Sequence, residues 1–303
     1  MNSNKKTILL TGGTGAIGKK LTEQLLAKGY TVNMLSRKPG SDPRVKTFLW
    51  DVNKGEIDAG CIDGVDTVVH LAGAGIADSR WTEKRKQEII NSRVKSIELI
   101  YGLLRTRKHQ VKSIVSASAI GYYSDRGDEL QTEESPPNTD FMGRCCVEWE
   151  RAVDEGQHLE LRIVKFRTGV VLDEEGALKL MARPVKLYVG SALGNGKQWV
   201  PWIHWQDVVD MYMLGIEHEN FSGAYNMVAP NPVTNAQLIK AIAKQLQKPL
   251  WAPNVPAFLL KLLLGEMSTI VLGSTRASAQ KIEDAGYRFK YPDIGPALKQ
   301  IYG

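Results

Sequence analysis

The sequence predicts an α/β protein with a doubly wound parallel sheet and a smaller, mostly helical C-terminal part. In the first half, short strand-like runs alternate with longer helical runs, which is typical of a parallel sheet covered on both faces. The strand-like runs are apolar with little alternation, as expected for strands buried on both sides. After Pro230 and Pro232 the pattern becomes mainly helical.

Each element of the first half has a local signal. Apolar runs predict six strands: Thr7–Leu10, Thr31–Leu35, Lys46–Trp50, Thr67–Leu71, Ser113–Ser118 and Leu161–Phe166. Helical periodicity predicts Ile17–Ala27, which ends before Gly29, then Thr82–Thr106 and about Asp140–Asp154.

The second half loses this regular alternation. Residues Asp173–Pro201 are rich in Gly and Lys, and we expect them to be irregular. The patterns that follow predict a helix Trp205–Glu217, a strand Ala224–Val228, and helices Thr234–Leu246, Ala257–Leu264 and Ala277–Ala285, the last closed by Gly286. Thr234 and Gln237 have the spacing of a capping box.

Composition narrows the class of protein. The chain has 303 residues, 43% of them hydrophobic, which predicts about two domains with sizeable cores. The net charge of +6 is small, and no basic run or nucleic-acid motif accompanies it, so we expect no nucleic-acid partner. Three cysteines cannot make a disulfide framework, and no Cys/His cluster has the spacing of metal ligands. The apolar run near the N-terminus is too short for a signal-peptide core, so we expect a cytoplasmic protein with no membrane segment.

A glycine-rich turn follows the first strand and precedes the first helix. Gly12, Gly15 and Gly18 give the spacing GxxGxxG. Such a turn lets the backbone approach a pyrophosphate, and the helix N-terminus supplies N–H donors to the phosphates. We therefore expect a dinucleotide-binding (Rossmann) domain whose contacts are made by Gly12, Gly13, Thr14, Gly15, Ala16, Ile17 and Gly18.

The end of the second strand predicts which dinucleotide is bound. An acidic residue there would accept from the adenosine 2′-hydroxyl, but this chain has Ser36, Arg37 and Lys38. A guanidinium and an ammonium suit a 2′-phosphate, so NADP(H) is predicted over NAD(H), the alternative being two solvated charges on a loop. Asp51, after the third strand, is expected near the adenine, and Leu71-Ala72-Gly73 is expected to pass beneath the cofactor.

These predictions divide the chain into two domains. Residues 1–170, rejoined by residues 204–230, are expected to form the dinucleotide-binding domain. Residues 171–203 and 231–303 are expected to form a substrate-binding cap.

Several motifs carry a family resemblance. These are Gly12–Gly18, His70–Gly73, Ser116–Ser118 and Trp202–Asp207. With them the chain resembles an extended, atypical short-chain dehydrogenase/reductase of the NAD-dependent epimerase/dehydratase superfamily. It is most similar to the "epimerase family protein" branch, which has a C-terminal helical domain of unknown function. The motifs specific to that branch are Arg80-Trp81 with Lys86, Ser92-Arg93, Gly121–Tyr123, Gly194–Gln198 and Gly265–Met267.

The resemblance implies a set of catalytic residues, and this chain departs from that set at two positions. The family uses a Ser or Thr with a Tyr-x-x-x-Lys dyad, and Ser118 fills the first position. The aligned dyad positions hold Phe141 and Cys145, so the usual proton donor and cation are absent. Tyr122 is the candidate proton donor, with packing or substrate binding as the alternative. Cys145 and Cys146 are weaker candidates, as nucleophiles, because no base is near them in the sequence and buried helix cysteines are usually inert.

Four further residues are candidates for the substrate site. The resemblance places Tyr123 and His204 near the substrate, and it gives Arg93 a substrate phosphate or carboxylate as ligand. Trp202 belongs to an aromatic-rich set, with Trp81, Trp199 and Trp205, that is expected either to line a substrate cleft or to pack in the core. Asp207 is expected to begin a helix rather than to act as an acid.

The leading hypothesis is an NADP(H)-dependent oxidoreductase or epimerase-like enzyme. It would act on a small polar substrate such as a nucleotide sugar, with Ser118 polarising the reacting oxygen. The alternative is a catalytically silenced NADP(H)-binding regulator or sensor. The sequence leaves the substrate open, and a monomer and a homodimer fit it equally.

Overall fold

The computed structural model describes residues 6–303 and contains the α/β fold that the sequence predicts. An eight-stranded sheet has the order β12-β8-β6-β5-β1-β2-β3-β4. Its strands are β1 Thr7–Thr11, β2 Thr31–Ser36, β3 Lys46–Asp51, β4 Glu56–Ile57, β5 Val65–His70, β6 Ser113–Ala119, β8 Arg162–Thr168 and β12 Gly223–Met227. All neighbours are parallel except the short pair β3–β4. The order reverses between β1 and β5, which is where folds of this kind bind ligands.

Helices cover both faces of this sheet. They are α1 Ala16–Ala27, α2 Glu83–Thr106, α3 Phe141–Asp154 and α5 Trp205–Glu217. Because side chains alternate along a strand, Ile8 and Leu10 of β1 pack into one core with α1 and α5, whereas Leu9 packs into the other with α2 and α3. The sheet is therefore doubly wound.

Most boundaries agree with the predicted ones within two or three residues. Thr82 and Asp140 stand just before α2 and α3, where their side chains accept from the backbone N–H groups of Arg85 and Gly143. The capping box predicted at Thr234 and Gln237 is present.

The second half differs from the prediction in three places. Residues 173–201 are not wholly irregular, because they contain α4, Ala177–Lys186. The helix expected over Ala277–Ala285 is shortened to α9, Gln280–Asp284, since β14, Arg276–Ala277, pairs with β7, Leu130–Gln131. The chain also ends in a helix that the sequence analysis did not identify, α10, Ile294–Tyr302.

The remaining elements build a third core beside the sheet. Short ladders join β9 Val170–Leu172 with β11 Trp202–His204, and β10 Trp199–Val200 with β13 Val233–Thr234. The remaining helices are α6 Asn235–Gln245, α7 Ala257–Leu264 and α8 Thr269–Leu272. Residues of α4, α6 and α10 share this core, which fits a smaller, mostly helical C-terminal region. The division into a 1–170 plus 204–230 domain and a 171–203 plus 231–303 cap stays a prediction.

The expectation of no signal peptide rests partly on residues 1–5. These residues lie outside the part of the chain that the structure describes. Within residues 6–303, no helix combines the length and the apolar character needed to cross a membrane.

Candidate cofactor and substrate site

The glycine loop between β1 and α1 lies against the end of β5. Gly12 has φ of +68°, and a Cβ atom there would lie 2.8 Å from the carbonyl carbon of Leu71. A Cβ at Gly18 would collide with the Gly12 carbonyl oxygen. Only glycine fits both positions, so the tight turn and the close helix–strand packing that the motif predicts are both present.

A side chain of β1 fixes the chain that leaves β5. The Thr11 Oγ1 atom, fully buried, accepts from the backbone N–H groups of Leu71 and Ala72 at 3.0 Å each. The Leu71–Gly73 segment is therefore held beside the glycine loop, where it can contact a dinucleotide lying across the strand ends.

A cavity of about 230 Å³ opens between the glycine loop and the ends of β5, β6 and β8. Its walls include Gly12, Gly18, Leu71, Ser118, Thr168 and Tyr212. Ser118 thus lies in the same cavity as the glycine loop, which begins more than 90 residues before it in the chain.

The predicted phosphate-binding residues lie at the end of β2. Ser36 is its last residue, and its Oγ accepts from the Lys38 N–H at 3.2 Å. Arg37 and Lys38 are exposed, and neither forms an ion pair with any residue between 6 and 303. Asp51 ends β3, and its Oδ1 accepts from the N–H groups of Asn53 and Lys54, which orients the carboxylate.

Ser118 is joined to a buried ion pair that the sequence analysis did not identify. Its Oγ donates to Glu150 Oε1 at 2.7 Å. Glu150, on α3, makes a two-pronged contact with Arg167 of β8, at 2.8 Å from Nε and 2.9 Å from Nη2. All three residues are at most 6% exposed.

The charge state of Glu150 follows from these contacts. Burial acts to raise the pKa of this carboxyl, but the hydrogen bonds and charge of Arg167, helped by Lys165, outweigh burial and lower it. Glu150 is therefore ionised and only accepts hydrogen bonds, so Ser118 must donate its single proton to it.

The two candidate tyrosines have different environments. The ring of Tyr122 is half-buried, with the Arg167 guanidinium 3.5 Å from its centre. Tyr123 is fully buried, accepts from Arg167 Nη1 at 2.8 Å and donates to Asn226 Oδ1 at 2.9 Å. Burial raises the pKa of Tyr123 to about 12. In this structure Tyr123 is a member of the buried network, and its contact with substrate stays a prediction.

Trp202 and His204 are also buried away from the cavity. Trp202 is 1% exposed and its Nε1 donates to the Asn231 carbonyl oxygen at 3.1 Å. His204 has no exposed surface; its Nδ1 accepts from the Gln206 N–H at the start of α5, and its Nε2 donates to Gln300 at 2.8 Å. Both side chains support the C-terminal region in this structure, and their contact with substrate stays a prediction.

Phe141 and Cys145, which occupy the two positions of the Tyr-x-x-x-Lys dyad, are packed in a small apolar cluster. Phe141 and Cys145, one turn apart on α3, are 3% and 4% exposed and pack with Ile89 of α2. The Phe141 ring meets the Trp81 ring edge-on at 4.7 Å between centres. Burial raises the pKa of both Cys145 and Cys146, which keeps these thiols protonated.

Arg93 is the remaining predicted substrate residue, and it lies beside this contact. Its side chain passes over Gly73, and its Nη1 donates to the Ile89 carbonyl oxygen at 2.8 Å. Residues 6–303 contain no group of three or more His, Cys, Asp or Glu side chains that could hold a metal ion.

The sequence did contain a signal for Glu150, which occupies a position on α3 whose neighbours at helical spacing, Cys146 and Val153, are buried. Arg167 had no comparable signal, because its strand β8 also contains Arg162 and Lys165. A charged residue in an otherwise apolar face indicates a buried partner. The identity of that partner depends on the tertiary fold.

The doubly wound sheet and its glycine loop define a dinucleotide-binding protein. Comparison with known proteins narrows this class. Residues 8–228 match the NAD dependent epimerase/dehydratase family, and residues 255–301 match a domain of unknown function (DUF1731). The chain therefore belongs to the NAD(P)-dependent epimerase/dehydratase family.

Similar proteins match along the whole chain. The epimerase family protein YfhF of Bacillus subtilis is 38% identical over 299 residues, with 97% of each chain covered. The structure of the human epimerase family protein SDR39U1 with NADPH is 30% identical, with a TM-score of 0.87 over 98% of this chain and 99% of that one. A nucleoside-diphosphate sugar epimerase from Corynebacterium glutamicum is 32% identical, with a TM-score of 0.81 over 99% of this chain and 59% of that one.

Proposed function

We propose that this protein is an NADP(H)-dependent oxidoreductase or epimerase that acts on a small polar substrate of the nucleotide-sugar class. The observation that supports this most directly is the cavity shared by the glycine loop and Ser118. Hydride transfer to or from an alcohol or carbonyl needs a hydrogen-bonding group beside the dinucleotide. The Ser118 hydroxyl is such a group. The C. glutamicum relative, described as a nucleoside-diphosphate sugar epimerase, supports the substrate class.

The preference for NADP(H) rests on Arg37 and Lys38. Two exposed cations without ion-pair partners in residues 6–303 stand at the end of β2, where an acidic residue would select NAD(H). A guanidinium binds a phosphate through paired, charge-assisted hydrogen bonds. The human relative was solved with NADPH, which favours the same choice.

The orientation of Ser118 favours a substrate hydroxyl. When bound, NADP(H) supplies the hydride acceptor or donor. Because Ser118 donates to Glu150, its lone pairs remain to accept a hydrogen bond from an alcohol in the cavity. We assign the proton exchange to Tyr122, whose ring is held by Arg167, the same residue that orients Glu150.

The cofactor can be identified directly. Freshly purified protein is denatured, and the released small molecules are identified by mass spectrometry. We expect NADP(H), and a co-purified nucleotide sugar would support the substrate class. The apo protein is then titrated with NADPH and NADH. We expect NADPH to bind about tenfold or more tightly, because a bidentate arginine–phosphate contact is worth at least 1.4 kcal/mol.

A matched variant separates the phosphate contact from general binding. Arg37→Gln should weaken NADPH by about tenfold and leave NADH unchanged, so NADH is the internal control. Equal affinities of the wild-type protein for NADPH and NADH would refute the proposed preference.

A second candidate function is a silenced NADP(H)-binding regulator or sensor. The observation that favours it is the apolar packing of Phe141 and Cys145. These residues leave no hydroxyl or ammonium at the dyad positions. Screening NADPH oxidation and NADP⁺ reduction against carbonyls and alcohols separates the two. An enzyme turns over one of these carbonyls or alcohols, and its Ser118→Ala variant loses this activity. A sensor binds the cofactor without turnover and associates with a partner only when the cofactor is bound.

A further inference from the structure

Arg93 is held against the chain segment that leaves β5. A Cβ atom placed on Gly73 would lie 3.1 Å from the Arg93 Cζ and 3.4 Å from its Nε, so the guanidinium covers this glycine. The other side of the guanidinium faces the Trp149 ring, 5.0 Å from its centre. The side chain is thus fixed between β5 and α3.

The helix around Arg93 is anchored at both neighbouring turns. The Ser92 Oγ accepts from the Ala74 N–H at 2.9 Å. The Ser96 Oγ contacts His70 Nε2 at 2.7 Å and donates to the Arg93 carbonyl oxygen. Both contacts tie this part of α2 to the end of β5, so the position of Arg93 relative to Leu71–Gly73 is well determined.

The guanidinium has free donors and no counter-ion. Nη1 donates to the Ile89 carbonyl oxygen, which uses one of its five N–H groups. Between residues 6 and 303 no carboxylate lies within ion-pair distance of Arg93. Burial lowers the pKa of Arg93 from its usual range, although not enough to remove the charge. A half-buried guanidinium with unused N–H donors and no counter-ion can bind a ligand that reaches the Leu71–Gly73 segment.

Arg93 also lies next to the position of the absent dyad lysine. Its charge acts on the Cys145 thiol, where it opposes the effect of burial on the cysteine pKa. Ile89, whose carbonyl oxygen holds Arg93, packs against both Cys145 and Phe141. Cys145 itself cannot supply a charge, whereas Arg93 carries one on the neighbouring helix α2 and also contacts Ile89.

The family resemblance implies that the dyad lysine orients the cofactor ribose, and we propose that Arg93 takes over this role. Its free N–H groups would donate to the hydroxyls of the nicotinamide-side ribose, above Gly73. The inference rests on the proposed NADP(H) binding, and it replaces the substrate anion that the sequence suggested for Arg93. The contact with Gly73 favours the cofactor, because that segment continues directly from the Leu71 that faces the glycine loop.

The test uses two ligands that share only the adenosine half. NADPH contains the nicotinamide ribose, and adenosine 2′,5′-bisphosphate lacks it. Calorimetric titrations measure both affinities for the wild-type protein, Arg93→Met, Arg93→Lys and the control Lys95→Met, which removes an exposed cation on the same helix. Arg93→Gln gives the same comparison if Arg93→Met fails to fold, as judged by thermal unfolding.

We expect Arg93→Met to weaken NADPH by about tenfold or more, since hydrogen bonds from a charged group are lost, and to leave the bisphosphate unchanged. Arg93→Lys should retain part of the NADPH affinity, and Lys95→Met all of it. Unchanged NADPH affinity in Arg93→Met, or equal loss for both ligands, would overturn the inference. Failure of the wild-type protein to bind NADPH would instead overturn the proposed function on which it rests.

Discussion

Arg167 connects most of the chemical groups of the candidate site. It lies opposite Ser118 in the parallel ladder of β6 and β8. From there its guanidinium binds Glu150, contacts the Tyr122 ring and donates to the Tyr123 hydroxyl. One buried cation therefore sets the ionisation of Glu150, and through Glu150 the direction of the Ser118 hydrogen bond.

Glu150→Gln tests this arrangement. The substitution leaves the Arg167 charge buried without a counter-ion, so we expect a loss of about 3–5 kcal/mol in the free energy of unfolding. Urea-induced unfolding of the wild-type and variant proteins gives the value. The matched control is Asp154→Asn, because Asp154 pairs with Lys165 at 2.7 Å but its side chain is 36% exposed. The Asp154 carboxylate reaches solvent and Lys165 keeps a second contact with Glu150 at 3.6 Å, so we expect Asp154→Asn to lose about 1 kcal/mol or less. Equal losses in the two variants would contradict the buried role of Glu150.

Residues that act through the local chain were predictable, and those that act through tertiary contacts were not. Gly12 and Gly18 follow from the turn between a strand and a helix, and the structure has the close contacts that exclude a Cβ at both. The Ser118–Glu150 contact joins residues 32 positions apart, and the burial of Trp202 and His204 depends on α10 and the 231 region. Such pairings depend on how elements pack, which neither spacing nor residue type reveals.

Helix α3 positions Cys145, Trp149 and Glu150, so its N-terminus matters for the site. Asp140 precedes the helix and accepts from the Gly143 N–H at 2.8 Å. Its second oxygen accepts from the Ser124 hydroxyl, in a loop where Ser124 has φ of +52°. One carboxylate therefore ties the start of α3 to the loop that follows Tyr122 and Tyr123.

Asp140→Ala should lower the free energy of unfolding by about 1–2 kcal/mol, because an N–H group at the helix start loses its acceptor. Asp140→Asn keeps an acceptor at this position and should lose less than half as much. Chemical denaturation of the three proteins measures both differences. If Asn proves as destabilising as Ala, the carboxylate charge rather than the cap hydrogen bond is what stabilises α3.

The elements that were not predicted from the sequence were missed for specific reasons. Helix α4 lies in a segment that was expected to be irregular because it is rich in Gly and Lys, and the helix contains Pro184 and has no side-chain cap at Gly176. Its buried residues Leu178, Ala182 and Val185 nevertheless have helical spacing, which is the signal that was available. The expected helix from Ala277 is cut short by a strand pair with residues about 146 positions earlier, which no local pattern indicates.

At the scale of the whole molecule, buried polar side chains join the sheet to the C-terminal region. Asp207, in the first turn of α5, accepts from the Tyr287 hydroxyl at 2.7 Å and from the N–H groups of Lys290 and Tyr291. His204 reaches α10 through Gln300. The prediction that Asp207 lies at a helix N-terminus agrees with its place in the first turn of α5.

Two buried histidines make the stability of the whole fold sensitive to acid. His70 is fully buried between Ser116 and Ser96, at 3.1 and 2.7 Å from its ring nitrogens. Burial, with a smaller effect of Arg93, lowers the pKa of His70 from 6.5 to about 3. Burial also lowers the pKa of His204. Both imidazoles are therefore neutral in the folded protein at pH values where the unfolded chain would protonate them.

Because the unfolded chain binds more protons below about pH 6.5, the free energy of unfolding should fall as the pH drops from 6.5 towards 3. Each histidine contributes a slope of up to about 1.4 kcal/mol per pH unit. Between pH 6 and 4.5, His70→Asn should lose one such contribution, measured as the pH dependence of urea unfolding. The control Ser96→Ala removes a hydrogen bond of His70 but not its titration, so it should lower stability by about 1 kcal/mol at every pH and keep the steep slope. A wild-type slope in His70→Asn would show that His70 is not the group that links protonation to unfolding.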